Sequence, residues 1–362
     1  MRKDKKIESL GGEFFAAANS GHGFVSFYGE IFKGANIRRR YLIKGGPGTG
    51  KSTFMRRVAD EAQRIGKTVE RYRCSSDPSS LDGVIIDGSV SIIDSTAPHS
   101  EEAELIGACD VLVDLGRFCN EKGLYDEREK IKALAKKKKH AYALTYRFLS
   151  SAMQSDIASR EMILPYVNKN CIVRLAKRLT RDIKSDGVYE CKSVFNKAIG
   201  MFGRCELDGY ESLAERVVYI EEHYGIGYLA VSEICEVARE RGCKIAVFYD
   251  PLNSEIPDSV FFETSKTLFL LCEPRTRGAV SLRRALDLSS FTKFERNELK
   301  SKSRNAKRMS DALIMAATDE LNSAADAHFE LEKIYRENMD FVSLDSYTSE
   351  LTERIIEFLK EK

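Results

Sequence analysis

Eight residues, Gly45, Gly46, Pro47, Gly48, Thr49, Gly50, Lys51 and Ser52, stand between a short apolar strand at 41–43 and a helical pattern that runs to about Ile65, with Gly66 as its C-cap and a second strand around 68–72. They satisfy the spacing G-x-x-x-x-G-K-S/T in the setting that gives it meaning, after a strand and before a helix. Glycines permit positive φ and close backbone approach, so successive N–H groups can converge on an anion while the helix adds the positive end of its dipole. Lys51 has the reach for β and γ phosphates, and the Ser52 hydroxyl suits Mg²⁺.

The same strand–loop–helix–strand unit returns from Arg216 onward. An offset of 177 residues sets Gly48 on Gly225 and Gly50 on Gly227; an offset of 176 sets Gly66 on Gly242 and Pro98 on Pro274. Ile92 and Ile93 fall in a strand that matches 267–271. Both halves then pass into long polar helical regions with few Gly or Pro, about 125–164 and about 294–338, where Tyr166 falls near Tyr335. The chain therefore reads as a tandem duplication, 1–190 and 191–362, each part with its own helical arm. Strands alternating with helices need crossover connections, which favour parallel pairing. The fold expected is α/β: two tandem P-loop NTPase-like three-layer α/β/α halves with mostly parallel sheets, each followed by long helices that form an antiparallel pair or arm.

A Mg²⁺ site in such a fold also needs a carboxylate at the end of a neighbouring apolar strand. Asp87 and Asp94 each end an apolar run. Asp94 is the better metal residue, because Asp87-Gly88 reads as a tight turn between two strands. The residue after Asp94 is Ser95 and not a water-polarising Glu, so the general base is unassigned; Asp77, Asp82, Glu101 and Glu102 are the acids nearby, each reading first as surface charge. The segment 74–77 is a plausible substrate edge beyond a strand end. An Asn-Lys-x-Asp element that reads guanine is missing both at Asn196-Lys197 and at Asn168-Lys169, which favours ATP. His22 reads as a turn residue.

In the second half the loop's chemistry is gone. Opposite Lys44 through Ser52 stand Glu221, Glu222, His223, Tyr224, Gly225, Ile226, Gly227, Tyr228 and Leu229. Two carboxylates replace backbone that should face a triphosphate, and the lysine and the hydroxyl are lost.

Lys plus Arg number 57 against 55 Asp plus Glu, so no global field directs the chain to nucleic acid or to an anionic membrane. Nucleic acid is an unlikely partner by this reading. The run 136–139 is four lysines filling a whole helical turn, so at least one charge sits beside the apolar face; the run reads as a solvated face ahead of a phosphate contact. The charged N-terminus lacks an apolar signal core and the longest aliphatic run, 268–272, is far short of the ~20 residues that span a bilayer. Nine scattered cysteines without a C-x-x-C pair fit reduced thiols. A cytoplasmic protein with no membrane attachment is expected.

The texts KGGPGTGKST, CSSDPSSLDG and DSTAPH resemble a family of uncharacterised bacterial proteins built as tandem P-loop ATP-binding halves, and the likeness covers nearly the whole chain. The resemblance implies ATP binding by residues 45–53, from Gly45 to Thr53, with Asp94 in the metal role. Members carry a phosphate loop in each half, and this sequence departs from that pattern at 221–229.

Three functions compete. The first is a Mg²⁺-dependent ATPase with one active site, Lys51 and Asp94 being catalytic. The second is a phosphotransferase with a helical lid, and the third a non-enzymatic nucleotide-sensing scaffold that works through a protein partner. Arg275 and Arg277 follow Pro274, which matches Pro98-His99 at the mouth of the first crevice, so the second half has cations to offer to the γ-phosphate; a solvated loop is the competing reading.

Overall fold

The computed structural model describes residues 11–34, 36–97, 101–272, 285–287 and 297–361. The first sheet comprises β1 (Gly12–Phe15), β4 (Arg39–Lys44), β5 (Val69–Arg73), β6 (Leu81–Ile86), β7 (Val90–Asp94) and β8 (Asp110–Asp114), in the order β1-β5-β6-β7-β4-β8. Only β6 runs against its neighbours; the other pairs are parallel. The turn between β6 and β7 places Asp87 at φ 53 and Gly88 at φ 61, as the hairpin reading of Asp87-Gly88 requires. The helix α2 (Lys51–Arg64) crosses from β4 to β5. Ahead of β4 lie the hairpin β2 (Ala17–Ser20) and β3 (Gly23–Ser26), with His22 in its turn, and the short helix α1 (Tyr28–Phe32).

The second sheet has the same order in the same sense. Its strands are β9 (Glu190–Val194), β12 (Arg216–Glu221), β13 (Lys244–Tyr249), β14 (Pro257–Phe262), β15 (Thr267–Cys272) and β16 (Ala285–Asp287), and β14 alone is antiparallel to its neighbours. A hairpin of β10 (Lys197–Gly200) and β11 (Gly203–Glu206) and the helix α6 (Tyr228–Arg241) complete the correspondence.

Strand side chains alternate between faces, and that alternation shows what each face meets. In β4, Tyr41 and Ile43 point outward into a core with Phe54, Met55 and Val58 of α2, whereas Leu42 points inward. In β13, Ile245 and Val247 point outward to α6, whereas Ala246 and Phe248 point inward. The inward residues of both sheets form one shared core around Phe14, Tyr72, Tyr210 and Phe261. In place of a second helical layer for each half, the two sheets thus back onto one another with α1 between them. The layering is helix, sheet, sheet, helix, because both faces of each sheet are apolar and a second sheet buries one of them.

The arms are α4 (Arg128–Ile163), preceded by the short α3 (Glu121–Asp126), and α7 (Asn297–Glu337). They lie antiparallel: Ser159 meets Ser303 at 3.0 Å, Ser155 donates to the Ala306 carbonyl at 3.0 Å, and Lys138 Nζ reaches His328 Nδ1 at 3.1 Å. After each arm the chain turns into a capped helix. Asn168 caps α5 (Lys169–Leu179), and Asp340 caps α8 (Phe341–Lys360). These two helices cross over. Ile172, Leu175 and Ala176 of α5 fill the outer core of the second sheet, while Leu344, Leu351, Ile355 and Leu359 of α8 fill that of the first. A boundary at residue 190 separates the sheets but passes through both outer cores.

Candidate functional site

β4 lies between β7 and β8, and the chain leaves toward one side through α2 and toward the other after β7. Such a switch point opens a crevice beyond the carboxyl ends of the strands. The eight-residue turn stands at its mouth. Gly48 at φ 70 and Gly50 at φ 85 supply the left-handed backbone that bends it, and no side chain caps α2. The first-turn N–H groups, those of Lys51, Ser52 and Thr53, are therefore the kind left to an external acceptor. Thr49 ties the turn with a hydroxyl bond to the Gly46 carbonyl at 2.9 Å.

Lys51 Nζ donates to the carbonyls of Gly45 at 3.0 Å and Gly46 at 2.8 Å and stands 3.7 Å from Asp94 Oδ2. The parallel register sets Ile43 beside Asp94, so the lysine and the acid converge over the end of β4. Asp94 also accepts the Thr96 N–H at 2.9 Å, and the Thr96 hydroxyl binds the Gly45 carbonyl at 3.2 Å. The Ser52 hydroxyl oxygen accepts the Leu81 N–H at 3.0 Å, which orients it while leaving a lone pair. Asp87 sits at the opposite end of the sheet, paired with Lys67 at 2.8 Å.

The acids considered as general base are differently placed. Asp77 accepts both the N–H and the hydroxyl of Ser79 within its own turn. Asp82 is buried and receives the Tyr28 hydroxyl at 3.0 Å. Glu101 pairs with Lys33 at 3.0 Å, away from the loop, and Glu102 is exposed, its carbonyl bonded to Arg40. Pro98, His99, Pro274, Arg275 and Arg277 lie outside the described residues.

Sequence reasoning missed the group on the arms. The last turns of α7 lie on the loop: a Cβ at Gly46 would stand 2.4 Å from Tyr335 Cε1, and one at Gly48 would stand 2.9 Å from Arg336 Cγ and 3.0 Å from the Glu332 carbonyl. Lys138, from the lysine run, is drawn in beside His328, which also meets Glu332 at 3.4 Å. Burial, with Lys51 as a like-charged neighbour, lowers the Lys138 pKa. The hydrogen bond from His328 holds the Glu332 carboxyl below its usual range. The one available signal was that lysines filling a whole turn must send one inward. Asp114 was missed too; it ends β8 in register with Lys44, on the other flank of the loop.

In the second half, Glu222 fills the space its own loop encloses. Both its carboxylate oxygens accept the Gly227 N–H, at 3.1 and 3.0 Å. Burial pushes its carboxyl up to about 7 against the opposing pull of Gly227 and Arg160. Arg160, near the end of α4, lies with its Cγ 2.9 Å from the point where a Cβ of Gly225 would be, and its guanidinium is 5.6 Å from the centre of the Tyr228 ring.

Among the described residues there is no group of three or more His, Cys, Asp or Glu arranged to hold a metal by protein ligands alone, and no helix long and apolar enough to cross a membrane. None of the nine cysteines is joined in a disulfide. Comparison with known proteins gave no matching family model, curated protein or solved structure.

Proposed function

We propose that residues 45–53 bind ATP with Mg²⁺ and that the chain hydrolyses it at this single site. The observation that carries the reading is the placement of Lys51 Nζ between the Gly45 and Gly46 carbonyls with Asp94 3.7 Å away, at the uncapped start of α2. A lysine so held is a point charge ready for phosphate oxygens, and the free N–H groups supply the rest of the cradle. Ser52 and Asp94 are the residues that would hold Mg²⁺, which supplies charge neutralisation across the β and γ oxygens. Lys51 positions the triphosphate, and its charge gains value as negative charge shifts toward the leaving oxygen. ATP is preferred because no guanine-reading element is present.

Titration of the full chain with Mg·ATP tests this reading. One site per chain, lost in Lys51→Ala, is expected; two comparable sites, or wild-type affinity in the variant, would overturn it. The cover of α7 over Gly46 and Gly48 favours a second reading, phosphoryl transfer to an acceptor beneath a helical lid. Phosphate release that is unchanged by added acceptors speaks for hydrolysis, and acceptor-dependent loss of ATP for transfer. Tight binding without turnover would leave a sensor that passes its state to a protein partner.

A further inference from the structure

We infer that Arg336 of the C-terminal arm contacts the terminal phosphate of a triphosphate bound in the first loop, an inference that rests on the nucleotide reading above. The second half displays the arrangement with a carboxyl group of its own in place. There the loop N–H of Gly227 is met by the Glu222 carboxylate, and Arg160 closes over it from the tip of α4, against Gly225. The offset of 176 residues that pairs Gly66 with Gly242 also pairs Arg160 with Arg336, and Gly225 is the counterpart of Gly48. The two arginines meet their glycines alike, each with Cγ 2.9 Å from the place a Cβ would take.

Charge completes the argument. In the second loop Tyr228 occupies the lysine position, so Arg160 faces a ring and a carboxylate. In the first loop Lys51 is present, Lys138 stands near it, and the exposed Arg336 has no ion pair or side-chain hydrogen bond among the described residues. The loop is flanked by Asp94, Asp114 and Glu332, with Lys51 already bonded to its carbonyls, and Arg336 is the cation beside it that lacks a partner among the described residues. A γ-phosphate would supply that partner, and a guanidinium can meet two of its oxygens at once. A diphosphate would leave Arg336 without that partner.

The test measures Mg·ATP and Mg·ADP affinity on the full chain. Arg336→Ala should weaken ATP by about tenfold or more while changing ADP by less than about twofold, as expected for one charge-assisted contact. Arg336→Lys should recover part of the loss, and Lys333→Ala, an exposed cation on the same turn, should behave as wild type. Equal weakening of both nucleotides by Arg336→Ala, or no weakening of either, overturns the assignment even though the loop binds nucleotide. Failure of the unmodified chain to bind either one instead overturns the nucleotide reading itself, and this inference with it.

Discussion

The Tyr335 ring packs so closely on Gly46 that a Cβ at position 46 would stand 2.4 Å from Cε1. Gly46→Ala should therefore push the last turns of α7 off the loop, at a cost of about 1–3 kcal/mol for the overpacked contact. Tyr335→Ala in the same chain should recover most of that loss, because the pair couples directly. Hydrogen exchange across 331–338 checks both: faster in the single Gly46 variant, restored in the double one.

Lys51→Ala should abolish triphosphate binding and alter stability by no more than about 3 kcal/mol, the scale of the two charge-assisted carbonyl bonds it gives up. Calorimetry for binding and thermal melting for stability separate the two effects.

Asp94→Asn should lower Mg²⁺-dependent turnover at least about tenfold, or ~1.4 kcal/mol in the barrier. Asp87→Asn should leave turnover unchanged, since Asn tolerates the left-handed backbone at 87 and the Lys67 pair is partly exposed and of small worth. The opposite ranking would exchange their roles.

Two carboxyls, Asp110 and Glu222, give opposite pH signatures. Asp110 accepts Arg40 at 2.9 and 2.8 Å and the N–H groups of Glu104 and Leu105, and the Arg40 bond holds its pKa far below normal. Its contribution is present above the unfolded value of about 3.9 and is lost as pH falls below that toward its folded pKa. Glu222 is displaced upward to about 7. Its contribution is complete below its unfolded value of about 4.3 and is lost as pH rises through about 7. Glu222→Gln, which keeps an acceptor for Gly227, should therefore raise the melting temperature relative to wild type at pH 8 and not at pH 4.

A fragment ending at residue 190 should fail to melt cooperatively, since it lacks Leu344, Leu351, Ile355 and Leu359 over the outer face of its sheet. In the full chain, Leu351→Ala should cost about 2–5 kcal/mol. A cooperatively folded fragment would show that α8 is dispensable to that core.

Local grammar was legible in the sequence. The glycines bending the loop, the turn at Asp87-Gly88 and the two long arms all follow from spacing alone, and the register of repeated glycines anticipates two sheets of one order. The crossing of α5 and α8 was not legible, because an amphipathic period defines an apolar face without saying which sheet that face will meet. For the same reason neither the contact of Tyr335 with Gly46 nor that of Arg336 with Gly48 was visible, since both depend on how α7 is aimed; the register that pairs Arg160 with Arg336 sets Tyr335 opposite Ser159 and not Tyr166. Lys138 was hidden in a run whose composition says solvent.

The crossing of α8 onto α2 also sets an order of events during synthesis. Leu344 and Leu351 emerge from the ribosome only after the strands of both sheets, so the outer core of the first sheet, begun early by α2, must wait for the side chains that α8 adds to it. Domains made in sequence usually fold in sequence. Here the half made first is completed by a helix made after the second half, and its glycine-rich loop gains the support of α8 and the cover of α7 only once the second half exists.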